Sequence, residues 1–140
     1  MLMITEDVKG KKYKALIDLL LRHCDRFAFV ENRQLIEYEE EWLAYINNLT
    51  EGIAEHFIER KIQQEWETTK LSEGSAYVFY YHFNNATKQF LKEYSNSLFN
   101  WISPDLPEDL QFYRDDTCML AVCSHEGFFL VDESLWEIFD

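Results

Sequence analysis

Apolar positions recur along residues 11–25 at helical spacing. Tyr13, Leu16, Ile17, Leu20, Leu21 and Cys24 fall at i, i+3, i+4, i+7, i+8 and i+11, one stripe of an amphipathic helix. Lys11, Lys12, Lys14, Asp18 and Arg22 fill the other side. Phe27-Ala28-Phe29-Val30 follows and reads as a short buried strand, being aromatic and β-branched. Trp42, Tyr45, Ile46, Leu49 and Ile53 return to helical spacing, which predicts a helix over about 36–49 with Gly52 as its stop.

The period then changes. His56, Ile58, Arg60, Ile62, Gln64 and Trp66 share one parity, with Glu59, Lys61, Gln63 and Glu65 between them, which predicts a strand over 57–66 with one polar face. A continued helix is the rival reading, because Phe57, Ile58 and Ile62 also fit one helical face. Residues 67–75 hold Thr68, Thr69, Ser72, Gly74 and Ser75 and read as a loop. From Ala76 to Phe83 the chain is apolar on both parities, as an inner strand covered on both faces would be.

Asn84 or Asn85 is a candidate N-cap for a helix over 85–102. That helix would carry Ala86, Phe90, Leu91, Tyr94, Leu98 and Trp101 on one side and end before Pro104. Three short strands are predicted at Leu110–Arg114, Cys118–Cys123 and Phe128–Val131. Turns at Asp115-Asp116 and Ser124–Gly127 join them and should fall at opposite ends of the meander. Leu135, Trp136, Ile138 and Phe139 suggest a docked terminal helical turn. The order predicts an α+β fold: a mainly antiparallel sheet, helices packed on one face, a C-terminal β-meander, and one domain over residues 1–140.

Composition narrows the function. With 47% apolar and 16% aromatic residues the chain can build a packed core, and 4 Gly with 2 Pro exclude collagen-like and low-complexity classes. The net charge of −13 argues against nucleic acid and against an anionic membrane surface as partners. The acid is unevenly spread. Residues 31–60 carry 8 acids and 2 bases, residues 91–140 carry 11 and 2, and residues 1–30 are net basic. Such a field speeds docking to a basic partner; its bland reading is solubility alone.

The chemistry-bearing residues add little to this. Cys24, Cys118 and Cys123 are an odd number and are expected as free thiols; with no basic stretch and apolar run at the N-terminus, a cytoplasmic location is expected. His23 ends the first helix, where a cationic side chain favours the helix dipole. His56 and His82 are candidates to face each other across adjacent strands but lack a third metal ligand. His125-Glu126 at a turn is the most exposed-looking acid–base pair, and turn chemistry accounts for it equally well. No nucleophile elbow, phosphate loop or dinucleotide glycine pattern occurs, so neither a catalytic residue nor a cofactor or metal site is assigned. Tyr77, Phe79, Tyr80, Tyr81 and Phe83 are expected in the core.

Several segments together resemble a known family. They are Cys24-Asp25-Arg26-Phe27 with Phe29-Val30-Glu31, Glu65-Trp66, the run from Lys92 to Trp101, Leu106-Pro107-Glu108-Asp109-Leu110 with Phe112, and Ser124-His125-Glu126. They resemble small proteins of Bacillus-like Firmicutes, some labelled stage III sporulation protein AH, over residues 13–130 or so. Proteins of this kind are similar to the small acidic immunity proteins that accompany polymorphic toxins. The family pattern has a Pro-Gly turn after the Glu-Trp strand end, whereas this chain has Glu67-Thr68-Thr69-Lys70, which implies a longer hairpin there.

The resemblance and the charge together lead to the expectation of a cytoplasmic binding protein, an immunity-type inhibitor of a basic toxin or other basic protein. A small-molecule-binding protein or enzyme with an aromatic-lined pocket is the alternative, and a nucleic-acid mimic a further one. The expected contact residues are Asp105, Glu108, Asp109, Asp115, Asp116, Glu126, Asp132 and Glu133. The helix carrying Glu37, Glu39, Glu40 and Glu41 is the rival surface.

Overall fold

The structure is a computed structural model that describes residues 1–32 and 39–140. In chain order the elements are β1 (Leu2–Ile4), α1 (Lys11–His23), β2 (Arg26–Asn32), α2 (Glu39–Leu49), a 3-10 helix (Glu51–His56), β3 (Phe57–Gln63), β4 (Glu65–Trp66), β5 (Thr69–Lys70), β6 (Ala76–His82), α3 (Asn85–Tyr94), β7 (Glu108–Arg114), β8 (Thr117–Cys123), β9 (Phe128–Val131) and α4 (Glu133–Phe139). Seven strands form one antiparallel sheet in the order β1-β9-β8-β7-β2-β6-β3; β4 and β5 pair separately. The fold is α+β, as the pattern predicts.

Alternation sorts the strands onto two faces. Phe27 and Phe29 of β2, Phe79 and Tyr81 of β6, Phe112 of β7 and Phe129 of β9 point to the main core. There they meet Tyr13, Leu16, Ile17 and Leu20 of α1, Phe90 and Leu91 of α3, and Leu135 of α4. Each fully buried Phe or Leu contributes about 1.5–3 kcal/mol. Phe27 stacks on Tyr81 with centroids 5.4 Å apart. The opposite face holds a smaller cluster of Ala28, Val30, Ala76, Val78 and Tyr113 with Trp66 from the β4–β5 hairpin. The helices therefore lie on one face and a small hairpin lies on the other. β6 is apolar on both parities because the main core covers one of its faces and the Trp66 cluster the other.

Several local expectations are corrected. The helix expected over 85–102 ends at Tyr94. Ser95 is extended, its hydroxyl donates to the Ser97 carbonyl and accepts from the Ser97 amide, and this local bonding replaces the next helical turn. Leu98 and Trp101 are still fully buried, but in an irregular segment. Asn84 caps α3, accepting from the Ala86 and Thr87 amides. Gly52 does not stop α2. The Thr50 amide and hydroxyl both bond the Ile46 carbonyl, and the chain continues as the 3-10 helix through Gly52. The predicted start of α2 at 36–38 lies outside the described residues.

The strand expected over 57–66 stops at Gln63, and Glu65-Trp66 begins a new hairpin whose second strand, β5, lies inside the expected loop. Trp66 pairs with Thr69 across Glu67-Thr68, so the turn stays tight without Pro-Gly. β1 went unforeseen; it pairs with β9 from the far end of the chain. Cys24, Cys118 and Cys123 are free. Cys118 and Cys123 share β8, where five residues span roughly 17 Å, beyond the reach of a bridge. Among the described residues no helix is long and apolar enough to cross a membrane.

Candidate functional site

The site is built where the alternation of β2 continues one step too far. Phe27 and Phe29 point to the core, and Glu31, at the same parity, follows them in; its relative exposure is 0%. β7 lies beside it, with Glu108 opposite Val30. The pairing slips here: Ala28 and Val30 of β2 face Gln111 and Glu108 of β7, so β7 carries an extra residue. Asp109 absorbs the bulge in the left-handed region, at φ 56°, which Asp tolerates better than most side chains. Glu108 and Asp109 are 1% and 2% exposed.

Partners explain most of this buried charge. Asp109 accepts the Trp66 indole N–H at 2.9 Å and the Ser124 amide at 2.8 Å. Glu108 pairs with His125 Nε2 at 2.7 Å, and half of the His125 side chain faces solvent. Glu31 accepts the Trp42 indole N–H from α2. Oε1 of Glu31 and Oε1 of Glu108 accept no hydrogen bond among the described residues. Burial pushes the Glu31 carboxyl up to about 8; the Trp42 bond opposes this and the Glu108 charge adds to it. Glu108 is raised by burial and then by the Asp109 charge, against His125. Asp109 is raised by burial, against the bonds from Ser124 and Trp66.

The same end of the sheet gathers part of each acidic stretch of the sequence. The Tyr45 hydroxyl of α2 donates to the Asp105 carbonyl at 2.6 Å, and the Tyr77 hydroxyl donates to Glu39. The first turn of α2, with Glu39, Glu40 and Glu41, is thereby tied to the segment carrying Asp105, Glu108 and Asp109 and to the His125-Glu126 turn. Glu40, Glu41, Asp105 and Glu126 are exposed there. The rival surface and part of the expected contact surface thus lie together; Glu37 lies outside the described residues.

The eight expected contact residues divide by position. Asp105, Glu108, Asp109 and Glu126 belong to this end, with Glu108 and Asp109 beneath the surface, where they cannot offer their charge to a partner directly. Asp115 and Asp116 form the β7–β8 turn at the other end, as the meander predicts, beside Arg26. Asp132 lies toward that end, its amide bonded to the Met119 carbonyl and its carboxylate capping α4 through Leu135, and Glu133 opens α4. His125 pairs with Glu108 instead of its neighbour Glu126. His56 meets Asn84 instead of His82. Sequence reasoning missed Glu31, Trp42 and Trp66; the signal for Glu31 was its parity with Phe27 and Phe29.

This arrangement offers charge more than covalent chemistry. Burial raises all three thiols, Cys24 and Cys118 to about 12, which keeps them protonated. The Ser124 hydroxyl is spent on the Trp101 carbonyl at 2.7 Å. Among the described residues no group of three or more His, Cys, Asp or Glu is placed to hold a metal ion. No family model, curated protein or solved structure matches the chain.

Proposed function

We propose that the chain binds a basic protein partner, as an immunity-type inhibitor does, and that the contact lies at the end of the sheet where α2, the Asp105 segment and the His125-Glu126 turn meet. One observation carries the reading: the first turn of α2 and the acids Asp105 and Glu126 of the C-terminal stretch converge there, over Glu31 and Glu108. Acids brought together against their mutual repulsion set up a local field that steers a cationic surface into register. The exposed members, Glu40, Glu41, Asp105 and Glu126, act on the approaching partner.

The test uses a partner isolated by cross-linking to the intact chain in cells that produce it. Association and dissociation rates are measured at low and high salt for three charge reversals: Glu40→Lys with Glu41→Lys, Asp105→Lys with Glu126→Lys, and Asp115→Lys with Asp116→Lys. The first two are expected to slow association about tenfold at low salt and the third less than twofold. The differences should largely vanish when the Debye length falls to about 3 Å at 1 M salt. A rate that responds only to the Asp115 and Asp116 reversal, or to none of the three, overturns the proposal.

A further inference from the structure

β3 is the last strand of the sheet, and the helices do not fully cover it. Between it and the 39–56 segment lies a cleft of about 580 Å³, within the size range of small-ligand sites. Phe79 and Tyr81 form its floor, both nearly buried, and the exposed ring of Phe57 meets Tyr81 edge-on at 5.4 Å. The walls carry two opposite charges, Glu51 at the start of the 3-10 helix and Arg60 on β3.

Glu51 and Arg60 line this cleft without neutralising each other. Neither is held in an ion pair among the described residues, although both line one cleft. Arg60 lies over the Tyr77 ring at 4.6 Å. Stacking fixes the plane of the guanidinium but leaves its edge N–H donors free, and those are the donors that grip a carboxylate. The half-exposed Phe57 ring likewise has an open face that a second ring would cover.

We infer that this cleft is a binding site for a small zwitterion with an aromatic body, an aromatic amino acid, its ring against the open face of Phe57, its carboxylate on Arg60 and its ammonium on Glu51. The site is separate from the acidic end and goes beyond the protein-partner reading, which stands or falls independently of it.

The experiment is a titration of the intact, isotope-labelled chain with L-phenylalanine, followed by amide chemical shifts. The expected result is saturable shifts centred on Phe57, Arg60 and Tyr81. Phenylacetate, which lacks the ammonium, and phenethylamine, which lacks the carboxylate, should each bind about tenfold more weakly. Arg60→Gln and Glu51→Gln should each weaken L-phenylalanine by a similar factor, and their unperturbed spectra elsewhere certify the fold. Shifts absent from the cleft at millimolar ligand overturn the site. Equal binding of the half-charged analogues, or unchanged affinity in both variants, overturns the zwitterion assignment.

Discussion

Glu108-Asp109 and Asp115-Asp116 are acid doublets at the two ends of one strand, and the fold treats them in opposite ways. The first is buried, with Asp109 held by Trp66 and Ser124 and Glu108 by His125. The second is a two-residue turn in which the Asp116 side chain is fully exposed at 3.5 Å from Arg26. Both doublets place one Asp in the left-handed region, at φ 56° and 53°. Backbone conformation therefore does not separate them. What separates them is what packs alongside: at the first end α2, the β4–β5 hairpin and the β8–β9 turn close over the strand, and at the second end the turn stays exposed with Arg26 and Asp25 beside it. A carboxylate in a closed environment must be bonded or protonated, whereas one in water is already satisfied.

The contrast breaks most visibly at Asp109. Asp109→Ala removes the acceptor for the Trp66 indole and the Ser124 amide and leaves a β-carbon without a compensating bond in the left-handed region. Urea unfolding should show a loss of about 3 kcal/mol. Asp109→Asn keeps one acceptor and should lose about half of that. A loss below about 0.5 kcal/mol for the alanine variant would place this doublet in the same class as the exposed one.

The next effect is a pH dependence. The ordinary Glu value is 4.5, and the folded value of Glu31 is raised to about 8. Below the lower value both states hold the proton. Between the two the folded state keeps it and the unfolded state releases it, so the contribution of Glu31 to stability declines as pH rises and is gone above about 8. Glu108 and Asp109 are raised too and act in the same direction. The chain should therefore unfold at lower urea at pH 8 than at pH 5.5. Glu31→Gln, which still accepts from Trp42, should flatten this profile and exceed the wild type at pH 8 by about 2 kcal/mol. A variant less stable than wild type at pH 8 would show that the ionised carboxylate is the form the fold prefers.

The smallest effect belongs to the open end. Asp115→Gly relieves the left-handed backbone at a cost in chain entropy, and the Asp115 amide still bonds the Asp25 carboxylate. Thermal unfolding should place it within about 0.5 kcal/mol of wild type. A larger loss would mean that the Asp115 side chain holds the turn.

Much of the fold was legible because it is local. The stripe from Tyr13 to Cys24 needs only a 3.6-residue period, and the two-sided apolar run of Ala76–Phe83 needs only the absence of a polar parity. The meander was legible through its turns. The end of α3 was not, because Leu98 and Trp101 keep an apolar rhythm while Ser95 and Ser97 bond each other instead of the helix. The contact residues were readable as acids but not as surface or interior, since the residue type is the same in both.

The sequence by itself determined the α+β class, the order of its principal elements and the excess of negative charge, because periodicity and charge are properties of neighbours along the chain. Only the tertiary structure decided that β1 joins the sheet through β9, that Glu31 and Glu108 come to lie on adjacent strands, and that α2 closes over them. Those outcomes depend on pairings between distant segments. A carboxylate buried by such a pairing differs from an exposed one in its surroundings, and residue identity does not encode the surroundings.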